Sequence, residues 1–437
     1  MSQRMRELTI ETPNQVFGAE LRHWRTLRGL SQTQLGALTR DSGSLIGMIE
    51  KADRVASRGL AQRADRALNT GGALESMWLR LERAAAETRT DTTEDSRQVF
   101  PHNPWATLAV PDLLREWHAD TTGFTIGLTS IGHRRVGRVD IDIMWSMGDA
   151  LATADHHLGG GYARASLTAF LTGTVASALR GVYDTATASE LHTVSARLAN
   201  LAGFMHFDTA RHRAAIGWFH TALALAKAGG NGALGAHILS DMAMQAHHQR
   251  RPADAVALAE AAVTTARHSG SPVTFARSSA LLARAHALAG DRAAAARALT
   301  DAGRHLDRVI VDDEPAWVRF FNAEQLAAEI MYVAADSAQD TLVQRHAPLV
   351  LGSTGAMERR HVLASAALAS AQLAGRAGDI DHAAQTLSDA LPTASTVVSS
   401  RGLDAINAVR RQLARYPDRP SVLALENLYA RTMVPVK

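Results

Sequence analysis

A triplet of small and apolar residues recurs in the second half of this chain, and its regular spacing restricts the fold more than any other feature. Three copies begin at Ala215, Ala255 and Ala295, which are evenly spaced, and a fourth begins at Ala383 after room for one degenerate copy. Turn signals such as Gly290–Asp291 precede several copies. This pattern predicts stacked pairs of antiparallel helices, in which small residues of each second helix let the first helix pack closely.

The composition favours the same interpretation. Hydrophobic residues make up 46% of the 437 residues, but aromatic residues only 5%, so the expected core consists of small aliphatic side chains. Alanine has the highest helix propensity and allows helix axes to approach each other. The chain has no cysteine, which excludes disulfides, thiolate catalysis and cysteine-based zinc sites. We therefore expect an all-α protein without a metal or another cofactor.

A charged, threonine-rich stretch divides the chain. It reads ETRTDTTEDSRQVFPHNP, covers residues 87–104 and ends in two closely spaced prolines, a composition typical of a linker. Before it we expect a flexible N-terminus (1–13) and a domain of five short helices (14–86). After it, residues 105–437 predict a repeat region of about six helix pairs. A length of 437 residues is consistent with one domain plus a repeat array.

Charge and hydropathy limit the partners and the location. Residues 1–90 contain 14 Lys and Arg against 10 Asp and Glu, whereas the remainder contains 32 against 33. A positive excess confined to the N-terminal region favours a nucleic-acid partner. The N-terminus lacks the apolar core of a signal peptide, and no apolar stretch of about 18 residues occurs. We expect a cytoplasmic protein that does not interact with a membrane.

The N-terminal region contains the pattern of a helix, a turn and a second helix in LSQTQLGALTRDSGSLIGMIEK, Leu30 to Lys51. Ser31, with Gln34 three residues later, predicts a capping box at the first of these helices. Asp41 or Ser42 can cap the second. The residues expected in the core of these two helices and of an amphipathic helix upstream are Leu21, Trp24, Leu27, Leu35, Leu38, Leu45, Ile46 and Ile49.

This region resembles the helix-turn-helix domains of the XRE and phage-repressor family. The resemblance rests on LSQxxL, on the I-x-x-I-E ending of the second helix, and on LAQRADRALNTGGAL from Leu60 to Leu74. The last segment is similar to one found in actinobacterial regulators that are fused to repeats. The resemblance implies a structural ion pair between Arg25 and Glu50. It also implies binding to double-stranded operator DNA as a homodimer, on half-sites about 34 Å apart.

The resemblance further implies a set of DNA contacts. The candidates are Ser31, Gln32, Arg40, Ser42, Gly43, Ser44, Met48, Lys51, Arg54 and Arg58. Gln32 and the basic residues after the second helix correspond to contacts with phosphates or the minor groove, and the residues of the second helix itself to base contacts. Gly43 has no functional group, so we expect weak direct readout supplemented by phosphate contacts and DNA shape. The alternative is a folded relic that serves only dimerisation.

The repeats resemble tetratricopeptide repeats, whose signature places small residues and an aromatic or leucine residue at fixed positions. One unit matches with Gly203, Ala215, Phe219 and Ala222, and another with Ala283, Ala295, Leu299 and Ala302. The tryptophan and closing proline of that family are mostly missing, and the units are longer than usual. In such superhelices the first helix of each unit lines the concave face. The side chains expected there, with one from a later aromatic segment, are Arg197, Asn200, Phe204, Phe207, His237, Met244, Arg277, Arg284 and Trp317.

Asparagine with paired arginines is suited to holding a peptide backbone together with a carboxylate or another anion. The alternative is that these arginines are solvated or paired within the chain. No nucleophile motif and no histidine pair with metal-ligand spacing occurs, so we expect neither an enzyme nor a metal site. The leading hypothesis is a transcriptional regulator whose repeats sense a peptide or small molecule and control dimer geometry. The alternative is a protein-interaction scaffold in which the helix-turn-helix domain serves only assembly.

Overall fold

The computed structural model describes residues 13–90, 103, 105, 107–119, 134–352, 357–374 and 378–433, without the side chains of 13, 80 and 83–90. Residues 1–12 of the expected flexible N-terminus and most of the expected linker lie outside these residues. Within the described residues the protein is all-α, as predicted, and the sole β feature is an isolated bridge between Arg135 and Val182. No helix in this part of the chain is both long and apolar enough to span a bilayer.

The chain divides into two compact units, and each is described by itself. The smaller unit comprises the described residues of 1–92, 372–395 and 404–437, and the larger unit those of 93–371 and 396–403. The helices before the repeats are α1 Pro13–Leu27, α2 Gln32–Thr39, α3 Gly43–Glu50, α4 Arg58–Leu68, α5 Ala73–Thr90, α6 Val110–His118, α7 Arg138–Leu158, α8 Gly160–Phe170 and α9 Ala176–Leu179, the last two joined by a π-helical turn. Because α5 continues to Thr90, the linker begins later than predicted.

The described residues from 185 onward contain twelve α-helices, which, taken two by two along the chain, agree with the predicted number of about six pairs. The pairs are α10 Thr185–Asp208 and α11 His212–Ala228; α12 Gly232–His248 and α13 Pro252–Arg267; α14 Pro272–Leu288 and α15 Arg292–Leu306; α16 Ala323–Asp336 and α17 Asp340–Leu351; α18 Glu358–Ala374 and α19 Ile380–Thr396; α20 Ser400–Leu413 and α21 Pro420–Met433. The predicted triplets lie on second helices of these pairs, and their leading alanines are buried.

The turns within the first three pairs explain the constant spacing of the triplets. Each turn contains a left-handed residue, and φ is 61° at Ala210, 58° at Arg250 and 85° at Gly290. After each of these residues, a backbone N–H donates to a carbonyl in the last turn of the preceding helix, at 2.8 to 2.9 Å. This arrangement ends a helix and reverses the chain. Its repetition at the same spacing places equivalent positions of successive first helices side by side.

Close packing within a pair is explained by Gly203 and Phe219. A Cβ atom at Gly203 would lie 2.6 Å from the ring of Phe219, so the aromatic side chain of α11 packs directly on the backbone of α10. Phe219 is fully buried. The small residue and the aromatic residue that carried the resemblance to repeats therefore form one contact between the two helices.

The last helices belong to a different unit from the one expected. The sequence assigns residues 105–437 to one repeat region, whereas α19, most of α20 and α21 form a compact unit with the N-terminal helices. The physical reason is a buried charge cluster. Arg410 of α20 donates to Glu20 of α1 at 3.1 Å and to both carboxylate oxygens of Glu426 of α21. A boundary drawn from composition cannot detect a contact between residues 390 positions apart.

Candidate nucleic-acid interface and repeat-region cavity

The helix-turn-helix motif is formed by α2 and α3, and its caps agree with the prediction. Gln34 N–H donates to Ser31 Oγ at 3.2 Å, and Ser31 N–H donates to Gln34 Oε1 at 2.8 Å, which completes the capping box. Ser42, rather than Asp41, caps α3 and accepts from Leu45 N–H at 3.1 Å. Arg40 ends α2 in the left-handed region, with φ of 59°. These caps fix where the recognition helix α3 begins.

Glycines allow the helices of this motif to approach each other closely. A Cβ atom at Gly43 would lie 2.8 Å from Cα of Thr33, and one at Gly36 would lie 2.8 Å from the carbonyl oxygen of Asp41. A Cβ atom at Gly18 of α1 would lie 2.2 Å from the carbonyl oxygen of Ile49. Gly43 therefore occupies a predicted base-reading position for a structural reason, since the start of α3 packs against the backbone of α2.

We expect Gly43→Asn, which adds a potential base-reading side chain, to destabilise the domain by about 1–3 kcal/mol, the usual range for overpacking. The new Cβ would meet backbone atoms of Thr33, which cannot move aside as a flexible side chain would. Urea unfolding monitored by amide hydrogen exchange in α2 and α3 measures the effect. Ser44→Asn, at the exposed neighbouring position, is the control and should change stability little. Equal stability of the two variants would contradict this packing argument.

The predicted pair of Arg25 and Glu50 is present and is bidentate. Arg25 Nε donates to Glu50 Oε1 at 2.6 Å, and Nη2 donates to Oε2 at 2.9 Å. The Glu50 side chain is fully buried, and Gln32 Nε2 also donates to it at 2.9 Å. Gln32, the predicted phosphate contact, thus already has a partner within the chain. This hydrogen bond uses one of the two Nε2 hydrogens, so it fixes the orientation in which the amide could donate the other to a phosphate.

The other predicted DNA contacts fall into two groups. Arg58 pairs with Glu75, at 2.8 Å between Nη2 and Oε1, and is half exposed. Arg40, Lys51 and Arg54 are exposed, and no ion pair with another described residue involves them. These three cations can therefore approach a phosphate without breaking an existing salt bridge. Their contacts with DNA remain predictions.

The recognition helix offers few polar groups to solvent. Ser44 is exposed, whereas Gly43 and Met48 are half-buried. The expectation that Leu38 lies in the core is wrong, because 58% of its surface is exposed on α2. The remaining predicted core residues of α1 to α3 are buried, apart from half-buried Leu45. The exposed surface of the motif therefore includes Leu38, the serines at its helix caps and at position 44, and three basic side chains.

Two residues that hold this surface together were not identified from the sequence. Arg63 of α4 donates to the carbonyl oxygen of Thr39 at 2.6 Å and to both carboxylate oxygens of Asp41 at 2.9 to 3.0 Å, which fixes the turn. Asp65 accepts from the backbone N–H groups of Leu74 and Glu75 at 2.8 Å and so caps α5. Both lie in LAQRADRALNTGGAL, so this segment fixes the turn between α2 and α3 and the start of α5.

A separate cavity of about 410 Å³ lies in the larger unit. Eight of the nine predicted concave-face residues line it, namely Arg197, Asn200, Phe204, His237, Met244, Arg277, Arg284 and Trp317. Phe207 does not line it and is fully buried, in edge contact with the ring of Phe204. Residues that were assigned to one face from the repeat period thus lie around one cavity, although ligand binding by them remains a prediction.

One end of the cavity is lined by aromatic rings, and the polar side chains there pair with other residues of the chain. The rings of Trp317 and Phe320 lie edge-on to His237, with centroids at 5.0 and 6.2 Å. Burial and the charge of Arg277 lower the pKa of His237 to about 3, so this imidazole is neutral at physiological pH. Arg277 is paired with Asp241, which also accepts from Asn200 Nδ2 at 2.8 Å. The predicted arginine and asparagine therefore already hold a carboxylate of the chain itself.

The other end of the cavity is cationic. Its lining includes Arg284, which was predicted from the sequence, and three arginines that were not, namely Arg359, Arg360 and Arg401. Arg359 bonds Asp155 and Asp208, each at 3.0 Å. Burial by itself would raise the pKa of Asp208, but the charges of Arg359 and Arg401 hold it below the ordinary value. No repeat pattern marks Arg359 or Arg401, because both lie beyond the three regular repeats.

The aromatic segment around Trp317 consists of short 3₁₀ turns. A proline after acidic residues is typical of the first turn of a helix, but α16 begins only at Ala323, eight residues after Pro315. Glu314 is buried and accepts from Ser271 Oγ and, at 3.1 Å, from the N–H of Val273. It therefore caps α14 rather than its own helix, and this cap holds Trp317 at the cavity.

Comparison with known families assigns the N-terminal region. Residues 16–78 match the family model described as a helix-turn-helix domain, and the match covers α2 and α3 with their supporting helices. Neither curated proteins nor solved structures gave a match to the chain. In the described residues, no group of three or more His, Cys, Asp or Glu side chains could hold a metal ion. The N-terminal domain is thus a helix-turn-helix domain, which indicates a DNA-binding regulator.

Proposed function

We propose that this chain is a transcriptional regulator of the XRE type that binds operator DNA as a homodimer. Its repeat region, of the tetratricopeptide type, senses a peptide or small-molecule signal and alters the geometry of the dimer on DNA. The protein acts in the cytoplasm and is not an enzyme. The observation that carries the proposal is the helix-turn-helix domain, with its capped recognition helix and its exposed cations.

The sensing role is supported by the cavity in the larger unit. It is concave, combines apolar and charged side chains, and has the size of a small-molecule site. The chain passes from the larger to the smaller unit within α20, which carries Arg401 in its first turn and Arg410 in its last turn. Arg401 lines the cavity, and Arg410 bonds Glu20 of the helix-turn-helix domain. A ligand that moves α20 would therefore change the support of that domain.

Genome-wide mapping of bound DNA, followed by titration of the recovered sites, tests the regulatory role. Full-length protein should bind its own sites more tightly than random duplex at roughly 150 mM salt. Equal affinity for both would exclude sequence-specific regulation. The mapped genes would also indicate the kind of signal.

Substitution of Lys51 and Arg54 tests whether these exposed cations contact DNA phosphates. We expect the double variant Lys51→Ala/Arg54→Ala to lose affinity for operator and random DNA alike, because phosphate contacts carry no sequence information. The slope of log affinity against log salt should decrease in magnitude by about 0.9 for each lost contact. Arg297→Ala, an exposed arginine of the larger unit without an ion pair among the described residues, is the control.

The alternative is a protein-interaction scaffold whose helix-turn-helix domain serves only assembly. It is favoured by the intrachain hydrogen bonds of Gln32 and Arg58, two residues that were expected to contact DNA. In a scaffold, the Lys51→Ala/Arg54→Ala variant would behave as the native chain in every DNA titration. Arg58→Ala distinguishes the two functions less sharply, because it also leaves Glu75 without its arginine partner.

A further inference from the structure

Two of the four arginines at the cationic end of the cavity, Arg401 and Arg284, lie 3.7 Å or more from every carboxylate with which they pair among the described residues. Arg401 has one acidic neighbour among the described residues, Asp208, and the distance from Nη1 to Oδ1 is 3.8 Å. Asp208 is already bound by Arg359 at 3.0 Å, by Ser399 Oγ at 2.9 Å and by the N–H of Gly160 at 3.1 Å. Since these donors hold both of its oxygens, Asp208 does not neutralise Arg401 as a dedicated partner would.

Arg284 has two acidic neighbours whose charges hold its pKa above the ordinary value despite burial, but neither of them forms a close ion pair with it. Its nitrogens lie 3.7 Å from Glu329 and 3.7 Å from Asp336, beyond hydrogen-bond distance. Asp336 has a closer partner, His247, whose Nε2 lies 2.8 Å away. The Arg284 guanidinium instead lies over the ring of Tyr332, with 5.1 Å between its central carbon and the ring centroid.

The two arginines are close enough to affect each other. Burial, together with the positive charges of Arg359 and Arg284, lowers the pKa of Arg401 to about 10 against the attraction of Asp208. The side chain is 10% exposed and lines the cavity. A buried guanidinium that is desolvated and repelled by like charges gains strongly from an anion placed beside it.

The rest of the cavity is suited to the uncharged, apolar part of a ligand. Phe204, Met244 and Trp317 also line the cavity. Apolar and aromatic walls with a few directed polar groups are typical of small-molecule sites, and about 410 Å³ lies within their usual range. A volume of this size fits one small molecule better than an extended peptide of several residues.

We propose that this cavity binds a single small molecule that carries one oxyanion, a carboxylate or a phosphate, on an apolar or aromatic body. The oxyanion lies between Arg284 and Arg401, and the body contacts Phe204, Met244 and Trp317. This assignment rests on the proposed sensing function and narrows its ligand from a peptide or small molecule to an amphipathic anion.

A matched pair of fluorescent probes tests the assignment in the full-length chain. 8-Anilinonaphthalene-1-sulfonate carries an anionic group on an aromatic body, and N-phenyl-1-naphthylamine is its uncharged counterpart. We expect the anion to bind one site per chain at least tenfold more tightly than the neutral probe. Arg401→Gln should remove this preference, whereas Arg401→Lys should keep part of it and Arg297→Gln all of it. Asp208 retains three other donors, so Arg401→Gln should fold, and circular dichroism checks this.

Trp317→Ala provides a second variant that leaves both arginines in place. It should weaken both probes by a similar factor, because it removes a contact with the body and not with the anion. Unchanged preference for the anion in both Arg401→Gln and Arg284→Gln would overturn the assignment. Equal binding of the two probes by the native chain would also overturn it.

Competition then identifies the head group and the class of ligand. Phenylacetate and phenyl phosphate should displace the anionic probe, and phenylacetamide should not; the stronger of the two anions identifies carboxylate or phosphate. Displacement by the tripeptide Ala-Ala-Phe alone would overturn the small-molecule assignment in favour of a peptide. DNA titration without probe reports on the regulatory role separately, so the failure of either proposal is recognised independently.

Discussion

Replacing Arg410 by methionine should destabilise the smaller unit by about 3–5 kcal/mol, the usual effect of removing one partner from a buried ion pair. Arg410 is 1% exposed and lies over the ring of Tyr429. Its loss leaves the carboxylates of Glu20 and Glu426 in the interior without their cation. Amide hydrogen exchange in α1, α20 and α21 should show the loss together, because one side chain connects the three helices.

The control for this variant is Arg415→Met, since Arg415 is exposed just beyond the end of α20 and should change stability little. A triple variant, Glu20→Gln/Arg410→Met/Glu426→Gln, should recover much of the stability, because it removes the buried charges together. If Arg410→Met left the exchange in α1 unchanged, the cluster would not hold these helices together.

Acid should weaken the same cluster in the native chain. Burial by itself would raise the pKa of Glu426, but Arg410 and His23 outweigh it and lower the pKa from 4.5 to about 2. A depressed pKa stabilises the fold above the unfolded-state value and loses this contribution as the pH falls through the folded-state value. Stability of the smaller unit should therefore decline between about pH 4.5 and pH 2, and less so in the triple variant.

This cluster also changes what a truncation would do. From the sequence, removal of residues 1–90 is expected to abolish DNA binding while the repeats stay folded. In the structure, α19 to α21 form one unit with the N-terminal helices, and Glu20 is part of its buried charge cluster. Truncation therefore leaves Arg410 and Glu426 incompletely paired. The larger unit is the part expected to retain its fold.

Local signals in the sequence were sufficient for much of the architecture. The capping box of Ser31 and Gln34, the position of Gly203 under Phe219, and the regular period of the repeats are all readable from spacing alone. The period also explains why Arg197, His237 and Arg277 line the same cavity, because they are equivalent positions of successive repeats. Because repeats have the same local structure, a position assigned in one repeat can be assigned in the next without knowing the tertiary contacts.

The remaining features depend on contacts between distant parts of the chain. Arg359 and Arg401 line the cavity, yet neither lies in the regular repeats, and their acid Asp208 lies far earlier in the chain. For Gly43 the sequence indicates a function that the packing explains otherwise. Its position at the start of the recognition helix predicts a base contact, whereas its close packing against Thr33 cannot be inferred from the sequence. Side-chain partners such as Glu50 for Gln32 likewise become apparent only when the helices are placed together.

Removing Arg25 should unfold the helix-turn-helix domain rather than merely weaken its contacts with DNA. The Glu50 carboxylate is fully buried, and Arg25 donates hydrogen bonds to both of its oxygens, at 2.6 and 2.9 Å. The nearest alternative, Arg22, lies 3.5 Å away, and Gln32 is uncharged. We expect Arg25→Ala to cost about 3 kcal/mol, near the lower end for breaking a buried pair, because Arg22 and Gln32 still interact with the carboxylate.

Arg25→Lys distinguishes the contribution of the bidentate hydrogen bonds from that of the positive charge at this position. Lysine keeps the positive charge but cannot form two parallel hydrogen bonds, nor can it readily reach the carbonyl oxygen of Leu30, to which Arg25 also donates at 2.7 Å. It should therefore recover part of the loss, whereas Arg25→Met/Glu50→Met should recover more by removing both charges. Hydrogen exchange in α1 to α3 measures the order of the three variants. If Arg25→Ala abolished DNA binding while exchange stayed at the native level, Arg25 would contact DNA directly and its pairing with Glu50 would be secondary.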